Sequence, residues 1–114
     1  MKNTIVIMFT VFMLLGIQNV QAENKSDQFK VAGNCGMCEK RIEKSAMAVS
    51  GVSKADWNKE TKEMVVDFDA AQTSLDKVEA AIAKVGHDTP LHKADAKAYA
   101  SLPGCCKYER TAAK

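Results

Sequence analysis

The sequence predicts an α+β fold in which two amphipathic helices lie on one face of an antiparallel sheet. Three observations predict it. Alternating apolar side chains mark short strands at 28–32, 52–58 and 63–69. Apolar residues three and four apart mark two helices, one carrying Ile42, Ala46 and Val49 and the other Leu75, Val78, Ile82 and Val85. A short polar connection at 59–62 makes the second and third strands a hairpin. Each helix needs a sheet face to cover its single stripe. The ferredoxin-like βαββαβ sandwich, with its split βαβ units, meets that need in this chain order.

Taken in order, residues 1–22 read as a secretory signal rather than as part of the fold. Lys2 precedes an apolar run from Ile5 to Ile17, and Val20-Gln21-Ala22 offers small side chains at a cleavage site, with cleavage expected near Ala22. That run is shorter than the roughly 20 residues of a membrane-spanning helix. The expected product is periplasmic or secreted, with no membrane association once the signal is removed. Residues 23–28 are polar and read as a mobile leader. Phe29 and Val31 then alternate with polar neighbours until Gly33 and Asn34 break the strand. Ser50-Gly51 closes the first helix and Gly86 the second, and Thr73 with Asp76 forms a capping-box pattern at the second helix's start. A last strand is signalled only weakly around Leu91, because Pro90 cannot donate to a ladder. Residues 29–93 thus form the domain, and 94–114 a short, partly helical tail in which Pro103-Gly104 stops an alanine-rich helix.

Composition narrows the function. Setting Lys2 aside from the 16 basic and 14 acidic residues leaves a net charge of about +1, so nucleic acid is not an expected partner. No Ser, His and Asp constellation and no glycine-rich phosphate loop is visible, and a non-enzymatic role is expected. The four cysteines come as two pairs, Cys35 with Cys38 and Cys105 with Cys106. In an oxidising compartment their number alone does not separate a disulfide staple from a thiolate site.

The first pair sits in Gly33-Asn34-Cys35-Gly36-Met37-Cys38, where a strand ends and a helix opens. A helix N-terminus presents unpaired N–H groups and a partial positive charge, which favour thiolate over thiol. Lys40 and Arg41 follow closely and add to that field. Thiolates prefer soft ions, and a closed structural zinc site needs four ligands where this loop offers two. Cu(I) is therefore the first expected ion, with Hg(II), Zn(II) or Cd(II) as the others considered. Two sulfurs make an open site from which an ion can be passed on.

The Cys-x-x-Cys loop between strand and helix, the hairpin, and the second helix ending in Gly86-His87-Asp88 together resemble the heavy-metal-associated domain of copper chaperones, metal-transporting ATPases and periplasmic mercury-binding proteins. The resemblance implies that Cys35 and Cys38 are the primary metal ligands and that the recipient is a metal transporter or another metal carrier. It also implies that Gly51-Val52, Asn58, Val66 and Asp69 are scaffold positions of the hairpin. The family's usual Gly-Met-Thr before the first cysteine is replaced here by Ala32-Gly33-Asn34, so its buried methionine is missing. His87 stands where the family often carries Tyr, Phe or Lys near the loop. It reads either as a third ligand or pH-sensitive neighbour, or as a solvated histidine in a turn.

Cys105 and Cys106 lie outside the family pattern, and three readings stay open: additional ligands that fold back onto the first loop, a staple to Cys35 or Cys38, or a separate contact. The leading expectation is an exported soft-metal-binding protein that captures an ion and hands it on, either as a monomer or as a metal-bridged dimer. The rivals are a thiol-disulfide oxidoreductase, which uses the same spacing, and a disulfide-stapled interaction module.

Overall fold

The computed structural model describes residues 23–110, and the signal segment lies outside them. Strands β1 (Asn24–Lys30), β2 (Val52–Trp57) and β3 (Glu63–Asp69) form one sheet with β3 in the centre and both neighbours antiparallel to it. Helices α1 (Gly36–Met47) and α2 (Leu75–Lys84) complete the α+β architecture expected from the sequence. Phe29, Trp57, Met64, Val66 and Phe68 from the sheet meet Ile42 and Ala46 of α1 and Val78 and Ile82 of α2 in a buried core. Both apolar stripes are therefore covered.

The segment 23–28, expected to be a mobile leader, belongs almost wholly to β1. Asn24 pairs with Asp69 and Gln28 with Val65, and Ala70 N–H donates to the Glu23 carbonyl at 2.8 Å. Residues 24–28 are exposed, so this half of the strand is held by its backbone ladder and leaves no apolar alternation to read. The cap of α2 is also one residue later than its sequence pattern suggests. Ser74 is the N-cap and accepts from Lys77 N–H at 3.3 Å, while Thr73 is buried beside the β3 exit. Asp76 lies in the first turn of α2, where its charge complements the helix dipole.

The weak last strand does not form. Thr89 and His92 close a tight turn instead, with Thr89 N–H donating to the His92 carbonyl at 2.8 Å and His92 N–H to Thr89 Oγ1 at 3.1 Å. Leu91 is 59% exposed. One rung of the expected pairing survives, from Ala32 N–H to the Asp88 carbonyl at 3.0 Å.

The tail folds back over this end of the domain. Asp95 caps α3 (Ala96–Ala100) by accepting from Ala98 N–H at 3.1 Å, and a single 3-10 turn follows at Gly104–Cys106. Gly86, at φ +110°, lets α3 approach so closely that an added Cβ would stand 3.1 Å from the Ala98 carbonyl oxygen. Leu102 and Tyr108 are buried in the common core. The Tyr108 hydroxyl donates to the Gly86 carbonyl at 2.8 Å and accepts from Asp88 N–H at 3.0 Å. Arg110 reaches the Asp88 carboxylate at 3.3 Å. Replacing Tyr108→Phe keeps the ring and deletes both hydroxyl bonds, which should cost about 1–3 kcal/mol. Urea unfolding checks the magnitude, and faster amide exchange at Asp88 is the expected local sign.

Candidate metal centre

The site is built where β1 runs out. Val31 N–H donates to the Lys62 carbonyl at 2.9 Å and Ala32 is tied to Asp88, so the chain is held on both sides as it turns into α1. Gly33 is buried. An added Cβ there would lie 3.0 Å from the Trp57 ring and 3.2 Å from Cys38 Cβ, so only glycine lets the loop settle on the indole. Trp57 Nε1 donates to the Val31 carbonyl at 3.0 Å. The indole thus lies against the loop in a chain without the family's methionine.

His87 also supports the loop. It is fully buried, with Nδ1 2.8 Å from the Ala32 carbonyl, and that acceptor fixes the proton on Nδ1. Its ring stacks on Tyr108 with centroids 5.7 Å apart. Burial pushes its pKa down, which favours the neutral ring. This replaces the solvated-turn reading, and His87 is not among the groups that converge as ligands. His92 instead meets Asp76 at 2.9 Å on the surface.

Cys35 is the N-cap of α1 in extended conformation, and Cys38 lies in the first turn, fully buried. Their sulfurs are 3.5 Å apart. The tail brings the second pair to the same point. Cys35 Sγ is 3.3 Å from both Cys105 Sγ and Cys106 Sγ, and the two tail sulfurs are 3.9 Å apart. All four cysteines are free thiols. The sulfurs of Cys35, Cys105 and Cys106 all lie within 4.8 Å of one another. Arg41, one turn along α1 from Cys38, donates to Cys106 Sγ at 3.3 Å. Cys105 is exposed and 3.8 Å from the Met37 thioether, whereas Cys106 is buried.

The environments divide the protons unequally. Burial alone would raise Cys35, but the Cys38 N–H at the helix start and the thiols of Cys105, Cys106 and Cys38 outweigh it and bring its pKa down to about 6. Burial pushes Cys38 up to about 11. Cys105 is raised chiefly by its hydrogen-bonded contact with the Cys35 sulfur, and Cys106 chiefly by burial. The helix start and the neighbouring thiols thus favour charge on Cys35, burial favours the thiol at Cys38, and the Arg41 guanidinium stands against Cys106.

A thiolate at a helix start, a second thiol one turn away and a small βαββα scaffold beneath them define a heavy-metal-binding domain. The chain belongs to the heavy-metal-associated domain family, which it matches over residues 28–88. It is 42% identical over 57 residues to the mercuric transport protein periplasmic component of Pseudomonas aeruginosa, and 37% identical over 59 residues to that of Serratia marcescens. Those matches cover 50% and 52% of this chain and 63% and 65% of the relatives, just under two-thirds of their length. Among solved structures, oxidized MerP from Ralstonia metallidurans CH34 is 36% identical with a TM-score of 0.56, over 58% of this chain and 93% of that one. The CopZ metallochaperone is 27% identical with a TM-score of 0.55, over 57% and 98%. Cys105 and Cys106 lie beyond the family match.

Sequence reasoning singled out all four cysteines but not the residues that join them. Neither Tyr108 nor Trp57 carried a motif. The unequal thiols give a direct test in the reduced protein. Iodoacetamide should modify Cys35 with a rate that rises through about pH 6, as the thiolate forms, while Cys38 stays unmodified up to pH 9 unless the chain is unfolded. Peptide mapping of the alkylated residues checks both.

Proposed function

We propose that this chain is an exported carrier that captures a soft metal ion at the Cys-x-x-Cys loop and hands it to a metal transporter or another carrier. The observation that carries this reading is the Cys35 sulfur, held at a helix N-terminus 3.5 Å from that of Cys38. A group with a pKa of about 6 is ready to bind without first losing a proton. Hg(II) and Cu(I) suit a site with few sulfurs, and the mercuric relatives, at higher identity than the copper chaperone, favour Hg(II). Zn(II) and Cd(II) are less suited to the two-sulfur loop taken alone, because such ions are best satisfied by four ligands. The periplasmic relatives also support export, and among the described residues no helix is long and apolar enough to cross a membrane.

Transfer needs only ligand exchange. An incoming thiol replaces one sulfur on the ion and gives its proton to the sulfur that leaves, so no electrons change hands. Anaerobic titration of the reduced protein with Hg(II) and Cu(I), followed by native mass spectrometry, tests the proposal. One tightly held ion per chain is expected, with affinity reduced on the order of a hundredfold or more in Cys35→Ser, since a chelating sulfur is lost. Absence of tight binding to the wild-type chain would overturn it.

A further inference from the structure

We infer that Cys35, Cys105 and Cys106 form a three-thiolate site that holds a soft ion at rest, with the tail acting as a built-in third and second ligand arm. The inference rests on the proposed metal-carrying function and names a ligand set different from the Cys-x-x-Cys pair.

The geometry is the first argument. With metal–sulfur bonds of about 2.3 Å, three sulfurs around one ion stand about 4.0 Å apart, and two sulfurs on opposite sides of an ion about 4.6 Å. The trio has edges of 3.3, 3.3 and 3.9 Å. Two edges must open by about 0.7 Å to admit an ion in trigonal geometry. The Cys35–Cys38 pair, at 3.5 Å, must open by about 1.1 Å to become linear. The trio is nearer to its loaded shape.

Burial and charge make the second argument. A buried cysteine often serves as a small apolar side chain, and that accounts for Cys106 alone. It does not account for Cys105, which is exposed yet stands 3.3 Å from the Cys35 sulfur. Together the three form a graded path, from exposed Cys105 beside Met37, through half-buried Cys35, to buried Cys106. Three thiolates around a divalent ion carry one net negative charge, and Arg41 stands 3.3 Å from Cys106 to offset it. The tail is held in place by Leu102, Tyr108 and Arg110 independently of its sulfurs.

Loading would proceed sulfur by sulfur. The Cys105 thiol attacks the ion on a thiolate donor, and the departing donor sulfur takes the proton that Cys105 gives up. Cys106 joins in the same way, releasing the second donor thiol, and Cys35 adds as the third sulfur, any proton it carries passing to solvent. No oxidant or reductant is required.

X-ray absorption of the Hg(II)-loaded reduced protein counts the sulfurs directly, and a dithiol competitor measures retention. Three sulfurs are expected in the wild-type chain. Cys105→Ser, an exposed substitution that leaves the tail's core contacts in place, should lower the count to two and weaken retention on the order of a hundredfold. Cys105→Ser/Cys106→Ser, verified as folded by circular dichroism, leaves only the Cys35–Cys38 pair, so at most two sulfurs and no better retention than in Cys105→Ser are expected. Two sulfurs in the wild type, unchanged in Cys105→Ser, would overturn the three-thiolate site while leaving the carrier function standing. No bound ion in the wild type would overturn both.

Discussion

The convergence of four sulfurs depends on the return of the tail to the loop, and the Tyr108 hydroxyl, bridging the Gly86 carbonyl and the Asp88 N–H, anchors that return together with Leu102 and Arg110. Cys105 and Cys106 are some 70 residues from the first pair in sequence, and their position is fixed only if the tail returns to the loop after α2. Tyr108 anchors that return at a point already tied to the metal loop, because Asp88 is bonded to Ala32 and His87 to the Ala32 carbonyl. A burial-raised pKa of about 12 keeps the hydroxyl protonated, and so a donor, across the working range. One residue thus links the core, the loop and the tail cysteines.

The electrostatics of the cluster follow from where the fold places each sulfur. Cys35 gains from the opening of α1, whereas Cys38, one turn further in, loses its access to water. A cluster of four thiolates would be strongly self-repelling in partial burial. The fold favours charge on Cys35 alone, while burial favours the thiol form of Cys38 and Cys106, with Arg41 close by.

Much of the fold was legible in the sequence because its signals are local. Ile42 and Ala46 on α1, Val78 and Ile82 on α2, and the alternation through Met64, Val66 and Phe68 report burial by spacing alone. What was not legible has physical causes. Residues 24–28 form a strand through backbone pairing with exposed side chains, so they left no pattern. Pro90 and the Thr89–His92 turn replace the last strand with irregular chain. The first cysteine pair announced itself by its place before a helix. The tail pair did not, because its partner is set by long-range contacts of Leu102 and Tyr108 that no short motif records. The role of His87 was hidden for the same reason: its burial beneath Ala32 is a tertiary fact.

Three sulfurs from two distant segments already stand together in the reduced, metal-free protein. Arsenite tests this directly, because it forms one bond to each available thiol and sheds one water per bond. Native mass spectrometry of the reduced chain should show a one-to-one adduct that has lost three waters, falling to two in Cys105→Ser. An adduct with two waters lost in the wild type, or the same adduct in wild type and Cys105→Ser, would contradict the account.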